Sequence, residues 1–263
     1  MKRGTFSFGS IFGKAIEDYK KNFKAIFLFM FVFIGIFSLL SFIISALWIL
    51  NDETTRNFVV YALFADDLSA FPWTYFICMW ALGIIGILLS IFVWSGFVSM
   101  SVRKETFRFG DLVRAGKSTF LNYLGLLIVS GIFLLGLFLL LIIPGIIFGV
   151  YWLLSSYVLL YEKKDILTSL KRSKEIIKGN WWRVFGYLIL ILIILVLVSV
   201  IVSVVVQPTQ IVQMIHMLNT ETVSLPFFMI NSLLGVISQF ITSLITVPFS
   251  ILFFKNLYFA LRK

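Results

Sequence analysis

The chain has 263 residues, of which 60% are hydrophobic and 13% are charged, and its mean hydropathy is +1.05. Soluble globular domains carry about 25% charged residues, so this composition excludes a sizeable aqueous domain. The formal net charge of +10 would suggest nucleic acid as the partner of a soluble protein. In so apolar a chain we expect anionic lipid headgroups as the partner instead, and no nucleic acid.

Lysine and arginine are concentrated in segments that alternate with long apolar stretches. Four segments hold 21 of the 22 basic residues: six in 1–24, five in 101–119, seven in 162–183 and three in 255–263. Residues 50–71 hold one, and residues 207–225 hold none. Basic residues near span ends are retained in the cytoplasm. The alternation therefore predicts a multi-pass protein of the cell membrane with an even number of spans and both termini cytoplasmic.

Six stretches are long and apolar enough to cross the membrane, since a helix needs about 20 apolar residues for the hydrocarbon core. Pro144-Gly145 divides the uncharged run 120–161 into two spans, because proline lacks a helix donor and glycine tolerates positive φ. The predicted fold class is all-α, a polytopic membrane protein with six transmembrane helices. The predicted spans are 25–49, 72–100, 120–143, 146–161, 184–206 and 226–254.

Three of the basic segments also carry the apolar spacing of an amphipathic helix. In residues 8–19 the apolar positions recur at i, i+3, i+4, i+7, i+8 and i+11, and similar stripes follow in 109–120 and 166–177. Helices with an apolar face and a face rich in lysine and arginine lie in the membrane interface. We therefore expect three cytoplasmic interfacial helices.

The first two of these segments also match by letter. Residues 5–9 read TFSFG and residues 106–110 read TFRFG. The three segments end in Asn22-Phe23, Asn122-Tyr123 and Asn180-Trp181, and asparagine suits a polar elbow between an interfacial helix and a span. We predict a single membrane domain of three parallel helical-hairpin repeats, each preceded by an interfacial helix: 5–100, 106–161 and 165–261.

Residues suited to catalysis or metal binding are few and scattered. The six predicted spans contain no ionisable residue, although such residues usually mark ion or proton pathways. A metal site at His216 and Glu221 would need at least one more ligand, for which the closest external candidates are Asp52, Glu53, Asp66 and Asp67. Asp66-Asp67 could bind a divalent cation, but a solvated acidic turn is favoured. The one cysteine, Cys78, lies in an apolar run. We predict no catalytic residue, no metal site and no cofactor.

Two groups of residues are candidates for binding. The first surrounds Gly179, where tryptophans can anchor at the interface and cations can reach lipid phosphates: Lys178, Asn180, Trp181, Trp182 and Arg183. The second could form a weakly polar lining in the sixth span: Asn231, Gln239 and Thr242. A structural anchor is the alternative for the first group, and interhelical hydrogen bonding is the alternative for the second.

Four segments resemble a known family: YKKNF, FRFGDL, IIPGIIFGVYWLLSSYVLLYE and SLKRSKEIIKGNWWRVFGYLIL. It is a family of uncharacterised six-span membrane proteins related to the membrane domain of some bacterial glycerophosphodiester phosphodiesterases. The resemblance covers nearly the whole chain and implies a six-helix fold in the cytoplasmic membrane of a bacterium or archaeon. It implies no phosphodiesterase activity, because that activity belongs to a separate soluble barrel domain.

These patterns predict a non-enzymatic integral membrane protein that binds lipid or a membrane-protein partner through its cytoplasmic interfacial helices. The alternative is a transporter or channel for a lipid-like or small apolar solute, which would show a polar-lined cavity bounded by the sixth span. An intramembrane enzyme would need a clustered Asp, His and Ser constellation that the sequence does not offer. Immunity to a bacteriocin or toxin is a further alternative, for which only the neighbouring genes could provide support.

Overall fold

The computed structural model describes residues 7–61, 71–208 and 225–262. Within these ranges the protein is helical and contains no strand, which confirms the all-α prediction. The elements in chain order are α1 (Phe8–Met30), a π-helical segment (Phe31–Gly35), α2 (Ile36–Asn51), α3 (Glu53–Tyr61), α4 (Trp73–Arg103), α5 (Phe109–Leu140), α6 (Ile142–Tyr151), α7 (Ser155–Tyr157), a second π-helical segment (Val158–Glu162), α8 (Ile166–Ile177), α9 (Trp181–Val206) and α10 (Leu225–Leu261).

Six helical segments of the described chain are long and apolar enough to cross a membrane, as the sequence predicts. Most of them extend beyond the predicted spans, because the flanking basic segments continue the helices. The six segments are Phe8–Asn51, Trp73–Arg103, Phe109–Leu140, Ile142–Glu162, Trp181–Val206 and Leu225–Leu261.

The predicted elbows at Asn22 and Asn122 are wrong. Residues Phe8–Asn51 are helical throughout, and α5 continues through Asn122 without a break. At Asn22 the side chain donates to the Asp18 carbonyl one turn earlier, so it bonds within the helix and does not end it. The first two amphipathic stretches are therefore the N-terminal parts of spanning helices.

The third elbow is present, between α8 and α9. Gly179 has a φ of +87°, which glycine adopts without the steric cost that a Cβ atom would bring. The N–H of Asn180 donates to the Ile177 carbonyl, and α9 begins at Trp181. As a result α8 is the one predicted interfacial helix that is separated from its span within the described chain.

The break between the third and fourth spans lies three residues before Pro144. Leu141 is extended and separates α5 from α6, while Pro144 lies in the first turn of α6. Proline is tolerated there, because an N–H in the first turn has no partner within the helix. Phe138 of α5 packs so closely on Gly145 that a Cβ atom there would lie 2.6 Å from its ring.

The fourth span is irregular, and Ser173 of α8 compensates for the irregularity. The helix is interrupted between Tyr151 and Ser155, which leaves backbone groups without their usual helical partners. The buried Ser173 hydroxyl donates to the Tyr151 carbonyl at 2.6 Å and accepts from the Leu154 N–H at 3.2 Å. This satisfies two backbone groups whose burial would otherwise cost free energy.

The chain divides into two compact units, which we call the basic unit and the apolar unit. The basic unit comprises the described residues of 1–29, 91–195 and 245–263. It contains every described lysine and arginine except Arg56. The charge alternation of the sequence therefore corresponds to a division of the fold.

Aromatic rings and close helix contacts form the core of the basic unit. Phe29 contacts the rings of Phe92, Phe97 and Phe109. Gly96 allows α4 to approach α5 closely, since a Cβ atom there would lie 2.8 Å from the Leu112 carbonyl oxygen.

The apolar unit comprises the described residues of 30–90 and 196–244. Ile49 is buried in it against Leu225, Phe228 and Met229. The Ser45 hydroxyl lies 3.0 Å from the Tyr75 hydroxyl, which joins α2 to α4 by a hydrogen bond. Large apolar side chains remain exposed along these helices, as expected of helices that face lipid.

Candidate functional site

Successive predicted repeats meet inside the basic unit. Asn22, in the first amphipathic stretch, donates from Nδ2 to the Glu105 carbonyl at 2.9 Å and accepts from the Phe107 N–H at 3.0 Å. At the next junction Ile166, the first residue of α8, packs on α5. Its Cδ1 lies 3.1 Å from the position that a Cβ atom would take on Gly125. The end of each amphipathic stretch therefore adjoins the start of the following one.

The third junction joins the last repeat to the first and is filled by aromatic rings. The ring centroid of Phe8, the first residue of α1, lies 5.5 Å from that of Tyr187 in α9 and 5.4 Å from that of Phe253 in α10. Phe8 therefore contacts both spans of the third predicted repeat.

An open cleft lies at the second junction, and we call it the Asn122 cleft. It has a volume of about 860 Å³. Its lining combines the end of α4, α5, the second π-helical segment, the connection to α8 and the start of α8: Arg103, Ser118, Thr119, Asn122, Leu159, Leu160, Lys163, Lys164, Asp165, Ile166 and Leu167.

Three cations face one carboxylate in the Asn122 cleft. Arg103 donates to the Leu160 carbonyl at 3.3 Å, while Lys163 and Lys164 are exposed and form no ion pair with a described carboxylate. Asp165 is held by Thr168, whose hydroxyl and backbone N–H bond to the carboxylate and lower its pKa. The cleft therefore keeps a net positive charge at neutral pH.

Lys163 lies in the left-handed region, with φ of 54° and ψ of 38°. This conformation is uncommon for residues other than glycine and is tolerated best by asparagine, aspartate and histidine. It ends the second π-helical segment and places two adjacent lysines in the connection to α8. The arrangement combines cations, side-chain hydroxyl and amide groups, and leucine and isoleucine side chains, so it could bind an anion such as a phosphate group.

A buried ion pair joins the first helix to the last. Asp18 of α1 forms a salt bridge with Lys255 of α10 and accepts a hydrogen bond of 3.2 Å from Nδ2 of Asn256. Asp18 is 9% exposed and Lys255 is 7% exposed. Removing each charge from water costs several kcal/mol, so each depends on the other. The predicted sixth span ends at residue 254, whereas α10 continues to Leu261 and includes Lys255.

A second polar cluster surrounds Glu162 at the end of the fourth span. Its carboxylate accepts a hydrogen bond of 2.7 Å from the Tyr258 hydroxyl. Arg262 and Arg172 approach the same carboxylate at 3.3 Å and 3.8 Å. Arg262 also lies over the ring of Tyr161, 4.7 Å from its centroid. The cluster fixes α8 and α10 to the fourth span and leaves the cations of the Asn122 cleft uncompensated.

The predicted headgroup residues lie at the turn from α8 to α9. Trp181 donates from Nε1 to the Ile147 carbonyl of α6 at 3.2 Å and stacks on Phe185 of its own helix, so it joins α9 to α6. Trp182 is 78% exposed, and Lys178 and Arg183 are exposed beside it. Asn180 is half-buried. The turn thus presents one ring and two cations outward, as an interfacial anchor would.

The three polar candidates of the sixth span lie in three different environments. Asn231 is buried and donates to the Phe227 carbonyl at 3.1 Å. Thr242 is half-buried and Gln239 is exposed. Of the external residues considered for a metal site, His216, Glu221, Asp66 and Asp67 lie outside the described residues. Among the described residues there is no group of three potential metal ligands.

Sequence reasoning missed Asp18, Lys255 and the cations of the Asn122 cleft. A signal existed for Asp18, since it lies three residues after Ala15 and four before Asn22, on the helix face that includes Ile11 and Ile26. A charged residue on an otherwise buried face indicates a buried partner. Nothing local to Lys255 indicates its partner, which lies 237 residues away in the sequence.

No family model, curated protein or solved structure matches this chain. The relation to the membrane domain of glycerophosphodiester phosphodiesterases therefore stays a prediction.

Replacing Asn22 by alanine should destabilise the fold, because it leaves the Glu105 carbonyl and the Phe107 N–H without their partner. We expect a loss of about 1–3 kcal/mol in the free energy of unfolding, measured by denaturant titration in detergent. Asn122→Ala, the exposed counterpart in the second repeat, should change it by less than about 0.5 kcal/mol. Equal effects of the two substitutions would contradict the role given to Asn22.

Lys255→Met should cost about 3–5 kcal/mol in the same assay, because Asp18 would be left as a buried charge without its cation. The double variant Asp18→Leu/Lys255→Met should recover most of that loss, since it removes both charges. Lys171→Met, at an exposed lysine, is the control. A double variant that is less stable than Lys255→Met would contradict this account of the pair.

Proposed function

We propose that this protein is a non-enzymatic multi-pass protein of the cell membrane that binds anionic phospholipid at its cytoplasmic face. The Asn122 cleft is the observation that carries the proposal. It offers Arg103, Lys163 and Lys164 to a phosphate group, and the side chains of Ser118 and Asn122 to the rest of a headgroup.

The position of the cleft in the chain supports lipid over a soluble anion. Its wall is formed by the end of the fourth span and the start of α8, where Leu167 is exposed beside Lys163 and Lys164. Lysine and arginine next to a span end face the negative potential of the cytoplasmic leaflet. Acyl chains could continue from such a site along the apolar surface of the helices.

The cytoplasmic orientation of both termini is part of the same proposal. It is supported by the concentration of lysine and arginine in the basic unit, which contains residues from near both chain ends. The positive-inside rule assigns such segments to the cytoplasm. The exposed Trp182 and its neighbouring cations, Lys178 and Arg183, then anchor the α8–α9 turn at the headgroup level.

The alternative function, a transporter or channel, is less well supported. It requires Asn231, Gln239 and Thr242 to share one polar lining. Asn231 is buried, whereas Gln239 is exposed. Binding to a membrane-protein partner through the exposed face of α8 is compatible with lipid binding but has no observation of its own.

Lys163→Asn/Lys164→Gln should weaken phospholipid binding while preserving the fold, because asparagine tolerates the left-handed conformation of residue 163. Each surface cation near an anionic leaflet contributes about 1 kcal/mol. We therefore expect affinity for phosphatidylglycerol to fall by about tenfold to thirtyfold. Titration of the detergent-solubilised protein with fluorescent phosphatidylglycerol measures this.

The control for this experiment is Lys20→Gln/Lys171→Gln, which removes the same charge from exposed positions outside the cleft. It should bind phosphatidylglycerol within about twofold of the unsubstituted protein. If both double variants lose the same affinity, binding depends on net charge and the proposed site is refuted.

A further inference from the structure

A second cleft lies at the first junction between repeats, and we call it the Asn22 cleft. It has a volume of about 390 Å³. It lies where the end of the first amphipathic stretch meets the start of the second, just as the Asn122 cleft lies where the second stretch meets the third. Its lining is Lys21, Asn22, Lys24, Ala25, Leu28, Phe107, Arg108 and Phe109.

The two clefts share their chemistry. The Asn22 cleft has three cations, Lys21, Lys24 and Arg108, and no carboxylate in its lining. Lys21 pairs with the exposed Glu105 at 3.3 Å, but neither Lys24 nor Arg108 forms an ion pair within the described chain. The cleft therefore carries two cations that an anionic ligand could neutralise.

The apolar part of the Asn22 cleft is suited to an acyl chain. Leu28 is 42% exposed and follows Lys24 by one helical turn in a segment that continues as the first span. Phe107 and Phe109 form the opposite wall. A ligand held by Lys24 and Arg108 thus has an apolar surface directly beside its phosphate, which a soluble phosphate compound would not use.

Asn22 has a different role from Asn122. Its amide is fully engaged with the Asp18, Glu105 and Phe107 backbones, so it fixes the wall of the cleft and leaves ligand contact to the cations. Asn122 is exposed in its own cleft. At the third junction, the ring of Phe8 contacts that of Tyr187.

We propose that the Asn22 cleft is a second binding site for anionic phospholipid, so that one chain binds two lipid molecules at equivalent positions of its repeats. This inference rests on the proposed function and adds a second site to it.

Native mass spectrometry of the full-length protein with added phosphatidylglycerol tests the inference by counting retained lipids. We expect two on the unsubstituted protein and one on Lys24→Gln/Arg108→Gln. We also expect one on Lys163→Asn/Lys164→Gln and none on the combined variant. Lys24→Arg/Arg108→Lys keeps both charges and should retain two, as should the control Lys20→Gln/Lys171→Gln.

The outcomes separate the two proposals. If Lys24→Gln/Arg108→Gln still retains two lipids while the Asn122-cleft variant retains one, the second site is refuted and the proposed function stands. If both variants retain two, both proposals fail. Glycerol 1-phosphate, added in place of the lipid, should not be retained. Its retention by the unsubstituted protein and loss in the variants would assign the clefts to a soluble phosphate compound and overturn the lipid assignment.

Discussion

The free-energy cost of placing charge in hydrocarbon is the constraint on which this structure depends. A lysine, arginine or aspartate at the centre of a bilayer costs several kcal/mol even by the lowest scales. In the described chain the cations are unevenly distributed between two compact units. One carries every described lysine and arginine but Arg56, and the other consists mostly of apolar helix segments. The proposed binding of an anionic ligand is therefore assigned to the basic unit.

Within the basic unit, some charges form ion pairs that hold the helices together, and others form no ion pair within the described chain. Asp18 and Lys255 neutralise each other and join the two ends of the chain. Glu162 accepts from Tyr258 and Arg262 and joins the fourth span to α10. Lys163, Lys164, Lys24 and Arg108 have no such partner in the described chain, and all four line clefts at junctions between repeats.

The spans could be predicted from the sequence because hydrophobic length is a local property. Four of the six predicted spans lie completely within the described spanning segments. The predicted second span begins one residue before α4, and the predicted third span ends three residues after α5. The three-fold repeat stays a prediction, which rests on the match between TFSFG and TFRFG.

What the sequence did not predict depends on contacts between distant segments. From the sequence alone, Asn22 could either form an elbow or lie within a helix and bond to another segment. Its hydrogen bonds to residues 105–107 show that it does the second. The pairing of Asp18 with Lys255 likewise requires the two ends of the chain to meet. The clefts are formed by parts of successive repeats, so no single motif contains either of them.

The proposed lipid sites depend on the cytoplasmic orientation of the basic segments. Cysteine accessibility in intact cells tests this orientation most directly. In a Cys78→Ser background, single substitutions at exposed positions of the basic segments, Lys20→Cys, Lys117→Cys and Lys171→Cys, should resist a membrane-impermeant maleimide until the membrane is permeabilised. Glu53→Cys, in the segment predicted to be external, should react in intact cells. Labelling of any basic-segment cysteine in intact cells, with Glu53→Cys protected, would contradict the cytoplasmic assignment and the lipid sites that depend on it.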